Sequence, residues 1–177
     1  MKKFELTGNF KMCFGRKLFQ IRALISIKDV VREGETGGYI EKEENLDQTG
    51  DAWVSGNARV YGDAWVYGNA RVSDDAWVYG DARVSGDARV YGDAWVSGDA
   101  DVLQITGLGT VHRTTTVYKT KNGIKIVCGC FRGGIEAFKA QVVNTRSGKV
   151  RDEYLKFAEL IEIYFGIKEK EEQEEDE

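Results

Sequence analysis

The strongest constraint on this chain is a six-residue phrase that it repeats without a break. "GDAWVYGNARVS", Gly62–Ser73, is two consecutive copies. Aligned on valine, the copies place Val54, Val60, Val66, Val72, Val78, Val84, Val90, Val96 and Val102 at a strict spacing of six. Two residues before each valine stands an alanine, from Ala52 to Ala100, and Asp or Asn precedes each alanine. Gly comes before that in every copy except at Asp74. The unit is G-[DN]-A-x-V-x, running from Gly50 to Leu103. Ala and Val two apart point to one face of a strand, and the variable residues point to the other. Gly followed by Asp or Asn is turn chemistry. A helix would need an apolar period of about 3.6 residues and would be weakened by a glycine in every phrase. Each phrase is therefore a very short strand and a bend, and the repeat sets the fold.

The pattern V-x-G-[DN]-A-x resembles the hexapeptide repeat of left-handed parallel β-helix proteins. In that family three hexapeptides make one triangular coil with the aliphatic and small residues inside. The resemblance covers Gly50–Leu103 and implies about three regular coils stacked at roughly 4.8 Å. The left hand comes from the resemblance alone. The expected fold is mainly β: about three regular coils, an irregular N-terminal coil below them, and a C-terminal α+β cap of one hairpin and two helices.

With eighteen residues per coil, the slot between Ala and Val forms three outer columns. They are Trp53, Arg71, Arg89; Arg59, Trp77, Trp95; and Trp65, Arg83, Asp101. Each sets Trp beside Arg on neighbouring coils, which predicts guanidinium–indole stacking and, in the third, an Arg83–Asp101 pair. The slot after valine adds Tyr61, Tyr67, Tyr79 and Tyr91. Exposed Trp, Tyr and Arg are the residue types enriched at binding hot spots. These twelve Trp, Arg and Tyr side chains are the candidate binding residues. The expected partner is a protein, either a host protein or a second and third copy of this chain. Flat prism faces favour a symmetric dimer or trimer. A stacked nucleotide-like ligand is the alternative use of the same rings. Nine Asp against four Arg between Gly50 and Leu103 read as solvation of the corners.

The flanks divide the chain into residues 1–49, an N-terminal β cap with the irregular first coil; 50–103, the repeat; 104–166, the C-terminal cap; and 167–177, an acidic tail expected to be disordered. Lys17–Ile27 reads as one or two strands, and Ile40 and Leu46 as the inward residues of the irregular coil. Asn122-Gly123 marks a hairpin between Thr110–Lys119 and Ile124–Cys130. Ile135, Phe138 and Val142 form one helical stripe ending at Ser147-Gly148. Asp152 is the expected cap of a second helix with Tyr154, Phe157, Ala158, Ile161 and Phe165 buried. "GGYIEKEENL" before the repeat and "CGCF" followed by a helix after it resemble small hexapeptide-repeat proteins of phages and prophages. That resemblance implies a host-directed, anti-defence role.

Catalysis has little to stand on. Many left-handed β-helix proteins are trimeric CoA-dependent acyltransferases with a histidine base beside a projecting loop. Here the single histidine, His112, lies beyond the repeat in an expected strand, and no loop interrupts the phrases. His112 is kept as the weak catalytic candidate of the enzyme alternative. Cys128 and Cys130 are two apart, expected on one strand face, whereas structural zinc wants C-x₂₋₄-C spacing and four ligands. No metal or cofactor is expected. A net charge of −4 argues against broad phosphate contact with nucleic acid. Three cysteines and no apolar N-terminal run or membrane span point to a reducing cytoplasm.

Overall fold

The computed structural model describes residues 2–167; the acidic residues 168–177 read above as a disordered tail lie outside the described residues. The chain divides into two compact units, one of Met1–Val102 with Tyr118–Lys121, the other of Leu103–Val117 with the residues from Asn122 onward.

The first unit is a β-solenoid of three turns on a β-sheet base. Strands β1 (Phe4–Cys13) and β2 (Arg16–Ala23) form an antiparallel hairpin. Its two-residue turn, Phe14-Gly15, has positive φ at both positions, as a type I′ hairpin requires. Strand β3 (Thr36–Ile40) pairs antiparallel with β2 and parallel with the solenoid. The coils supply eight two-residue strands: β4 (Trp53–Val54), β5 (Arg59–Val60), β6 (Trp65–Val66), β7 (Arg71–Val72), β8 (Trp77–Val78), β9 (Arg83–Val84), β10 (Arg89–Val90) and β11 (Trp95–Val96). They stack in parallel as three faces: β4-β7-β10; β5-β8-β11, continued below by β3; and β6-β9. Register is eighteen residues throughout the coils, with Val54 on Val72, Val60 on Val78 and Val66 on Val84. Every alanine from Ala52 to Ala94 and every valine from Val54 to Val96 is buried. Alternation around a tight period thus places the whole methyl set inside.

Below the regular coils, Ile40 lies against Val60 and Leu46 against Val66, each twenty residues apart in sequence. The two extra residues lie between Leu46 and Val54, which are eight apart where their partners Val66 and Val72 are six apart. This is the irregular first coil. Glycine is required at the corners: Gly80 sits at φ +64°, and a Cβ there would lie 2.1 Å from the Ser97 carbonyl oxygen one coil away. The lapse, Asp74, adopts the same left-handed backbone at φ 61°. Its carboxylate also accepts from the Gly92 N–H at 3.1 Å.

The ninth phrase does not coil. Ala100 is exposed and Val102 only half-buried, so the expected column Val66–Val84–Val102 stops at Val84. A 3₁₀ turn, Asp99–Asp101, replaces the corner. The Asp101 carboxylate turns back to accept from the Ser97 N–H at 2.8 Å and the Ser97 hydroxyl at 2.6 Å.

Hydrogen bonds along the stack run mainly from an N–H on one coil to a carbonyl on the next: Trp53 N to Ala70 O, Ser55 N to Val72 O, Asp63 N to Gly80 O. The first coil is thus left mainly with carbonyls to satisfy and the last mainly with N–H groups. At the first coil, the Lys3 ammonium donates to the carbonyls of Thr49, Gly50 and Ala52 at 3.3, 3.4 and 2.8 Å. Asn45 Nδ2 donates to Gly62 O and Ala64 O. The backbone N–H groups of Tyr39, Glu41 and Asp47 reach Ala58, Val60 and Val66. At the last coil the partners are acceptors. Asp99 Oδ1 takes the Arg83 N–H at 2.8 Å, Asp101 takes Ser97, and Tyr118 Oη takes the Tyr91 N–H at 3.2 Å. Ala94 also bridges to Thr120.

In the second unit, β12 (Val102–Leu108), β13 (Arg113–Thr120), β14 (Gly123–Cys128) and β15 (Phe131–Gly133) form a four-stranded sheet in that order. The expected hairpin is its β13–β14 pair, and strands on both sides extend it. Helices α1 (Ile135–Thr145) and α2 (Gly148–Phe165) follow. Ile135, Phe138 and Val142 of α1 and Tyr154, Phe157, Ala158 and Ile161 of α2 share one core with Val117, Ile126 and Cys128. Ser147, not Asp152, stands at the N-cap of α2. The break between the helices is Arg146-Ser147 alone; Gly148 already opens α2, which encloses Asp152. Among the described residues no helix is long and apolar enough to cross a membrane.

Candidate functional site

The columns align as the eighteen-residue period requires: Trp53 on Arg71 and Arg71 on Arg89; Arg59 on Trp77 and Trp77 on Trp95; Trp65 on Arg83. What the side chains do differs by face.

The β5-β8-β11 face gathers the rings. Trp77 and Trp95 stack at 5.1 Å with 13° between planes, and Tyr61 and Tyr79 stack at 5.2 Å with 8°. The two stacks meet edge to face: Tyr61 against Trp77 at 6.4 Å and Tyr79 against Trp95 at 5.9 Å. Trp95 Nε1 donates to Tyr79 Oη. Edge-to-face and offset contacts are the arrangements a ring quadrupole favours. Arg59 lies 4.7 Å over Trp77, and Lys121 lies 5.3 Å over Trp95. Phe14, at the tip of the β1–β2 turn, packs on Trp77 at 5.5 Å while remaining 73 % exposed. Lys11 lies 4.1 Å over Tyr39 on the coil below. Burial, then the neighbouring Cys13 and Tyr79, push the Tyr61 phenol up to about 12. That ring stays neutral and packs with Cys13 and Leu18.

The other two faces correct the expectation of a guanidinium–indole ladder in every column. Trp53 is 2 % exposed and so presents no binding surface; Tyr61 is buried as well. Arg71 is half-buried, with Nε lacking a hydrogen-bond partner. Its burial, then the adjacent Arg89, lower its pKa. Arg89 Nη1 donates to Tyr91 Oη at 3.1 Å, two residues along its own coil. On the β6-β9 face Trp65, 40 % exposed, turns to Tyr67 two residues along its own coil and stacks at 4.1 Å. Arg83 is exposed beside it. Asp101 pairs with Lys119 rather than Arg83, because the 3₁₀ turn has carried it out of the column. Arg59 over Trp77 is the expected stack that forms.

His112 lies in the turn between β12 and β13, not in a strand, at φ 48°. It is exposed, with Nδ1 3.3 Å from the Gly107 carbonyl. Cys128 closes β14 and is buried, whereas Cys130 is exposed in the turn that follows, so the two do not share a strand face. Gly129, at φ +60°, opens that turn and sends the chain back as β15. Among the described residues no three His, Cys, Asp or Glu side chains gather closely enough to hold a metal ion.

The residues that sequence reasoning missed are Lys11, Phe14 and Lys121. The alternation in FKMCF and the turn at Phe14-Gly15 were the available signals for the first two. Lys121 is placed by the Asn122-Gly123 turn that was recognised.

A family model for the YdcK beta solenoid repeat matches residues 52–68, 64–80 and 82–98. The matched segments stop one residue before the 3₁₀ turn at which the coil ends. No curated protein matches the chain.

Proposed function

We propose that this protein is a non-catalytic interaction module that binds a partner protein through the β5-β8-β11 face. The observation that carries the reading is the continuous cluster of the half-buried Trp77, Tyr79 and Trp95, packed on the buried Tyr61 and rimmed by the cations Arg59, Lys121 and Lys11. Locked rings lose little conformational entropy on contact, and a cationic rim selects for acidic groups around an apolar patch. The partner is therefore a protein whose surface carries carboxylates around an aromatic or aliphatic anchor. The stacked, 40 %-exposed Trp65 and its neighbour Tyr67 supply a second, smaller patch for self-association.

The finer assignments belong to the same proposal: a left-handed hexapeptide-repeat solenoid, encoded by a phage or prophage, acting in the cytoplasm on a host protein. The six-residue period and the "GGYIEKEENL" and "CGCF" flanks support it. Affinity capture from host lysate with the wild-type chain and with Trp77→Ala and Arg59→Ala tests the reading. A protein retained by the wild type and lost by both variants at unchanged melting temperature supports it. Identical recovery by all three overturns it.

A nucleotide-like ligand stacked on the same rings is the second reading, since Arg59 and the indoles suit a base. It expects a nucleotide to co-purify and Trp77→Ala to release it, read by native mass spectrometry. The acyltransferase alternative gains nothing from His112, whose ring faces a backbone carbonyl in an exposed turn. It would be revived by saturable acyl-CoA binding and loss of turnover in His112→Ala.

A further inference from the structure

The second unit carries a cleft that the solenoid face does not involve. Arg113, at the start of β13, and Arg146, at the C-cap of α1, line it together with Tyr154 of α2. Its floor is apolar, made by Phe131, Phe138 and Val142. The same two arginines and Tyr154 also line an adjoining, wider depression of about 400 Å³.

Three observations separate this cleft from an ordinary surface dent. The first concerns charge. Among the described residues neither guanidinium meets a carboxylate; the one hydrogen bond of the Arg146 guanidinium runs from Nη1 to the Thr145 carbonyl at 3.2 Å. The second concerns position. Arg113 reaches over the Gly129 turn, where a Cβ would come within 2.6 Å of Nη1 and 3.2 Å of Cζ. The third concerns Tyr154. Its side chain is buried, and its hydroxyl makes only long contacts, 3.4 Å to Leu108 O and 4.0 Å from Cys128 Sγ. Burial, then Cys128, push its phenol up, so it remains a donor at neutral pH. The charges of Arg146 and Arg113 pull it the other way, and both residues line the cleft with it.

We propose that this cleft binds a small ligand joining an oxyanion, a carboxylate or phosphate ester, to an apolar body. The oxyanion sits between Arg113 and Arg146, whose planar forks match two-oxygen acceptors. The Tyr154 hydroxyl and the Gln141 amide at the cleft wall add neutral donors. The apolar body lies on Phe131, Phe138 and Val142. A few convergent polar groups over an apolar floor is the usual composition of a ligand site.

The test uses the full chain titrated calorimetrically with phenyl phosphate and, separately, with phenylacetate. Cys130 is the one exposed cysteine of the three and lines the cleft, so its alkylation rate is a second readout. At least one probe is expected to bind saturably at one per chain and to slow Cys130 alkylation. Arg113→Gln and Arg146→Gln should each weaken binding about tenfold or more, with Arg146→Lys intermediate. Phosphate-only binding assigns the site to phosphate esters, carboxylate-only binding to carboxylates, and binding of both to the shared oxyanion chemistry. Should Arg113→Gln not fold, the exposed Arg146 carries the test. Absence of binding by both probes, or unchanged affinity in Arg146→Gln, overturns the proposal.

Discussion

At the first coil of the solenoid the groups left to satisfy are mainly carbonyls, and at the last coil they are mainly N–H groups. The chain answers the first with donors and the second with acceptors. Lys3, Asn45 and three backbone N–H groups serve the first coil. Asp99, Asp101 and the Tyr118 hydroxyl serve the last. None of these residues belongs to the regular coils, since a repeating unit presents its polar backbone identically at every level. A parallel stack has a direction, and its two terminators cannot be interchanged.

The two ends also differ in how dry they are. Lys3 is 1 % exposed, whereas Asp101, though itself buried, is neutralised by the half-exposed Lys119. Removing donors at the drier end should therefore cost more. Lys3→Met keeps the stem and strips three carbonyls of their partner, and should lower unfolding free energy by about 3 kcal/mol in urea melts at pH 7. Lys3 also gives its end a pH signature in the alkaline range. Burial lowers the Lys3 pKa to about 8, against partial opposition from Asp47 and Asp51. Unfolded, the lysine holds its proton up to 10.5. Between those values the unfolded chain binds more protons, so wild-type stability should climb as pH rises, and Lys3→Met should remove that climb.

Asp101→Asn keeps an acceptor for Ser97 but loses the charge, and should cost about 1–2 kcal/mol. Burial would raise the Asp101 pKa, yet hydrogen bonds from Lys119 and Ser97 outweigh it and hold the carboxyl below its ordinary 3.8. Its contribution is complete above that ordinary value and drains away as pH falls through the folded one. Acid melts of wild type and Asp101→Asn should converge there. The smallest effect belongs to Tyr118→Phe, which loses the hydroxyl that accepts from Tyr91 N and donates to Tyr91 O, and should cost about 1 kcal/mol. If Tyr118→Phe cost more than Lys3→Met, the ranking of the two ends by dryness would be wrong.

The coils were legible because a period of six leaves one way to bury Ala52 through Val96. The stop was not. "GDADV" continues the phrase letter for letter, and its only deviation is Asp101 in a slot otherwise held by Trp or Arg. That carboxylate prefers Ser97 and Lys119 to the column, a choice made by tertiary partners. Burial of Trp53 was hidden for the same kind of reason, since its phrase GDAWVS is identical to that of the half-buried Trp95. Strand β1 was overlooked because a register shift between Leu6 and Phe10 breaks its alternation. The helical stripes were legible, with Tyr154, Phe157, Ala158 and Ile161 inside and Phe165, at the end of α2, only partly buried. The aromatic face was legible as a set of residue types but not as one face, because Trp65 and Trp77 choose different neighbours. The Arg113 and Arg146 cleft has no sequence signature, since its residues come from a strand, a turn and two helices.

A directional stack with complementary termini has a polymer lurking in it. Stripped of Lys3 and Asn45 below and of Asp99 and Asp101 above, one molecule's last coil would offer N–H groups that another molecule's first coil could accept. Head-to-tail addition of this kind never closes on itself, so it grows as a filament. The few side chains at each terminus are what keep the column finite.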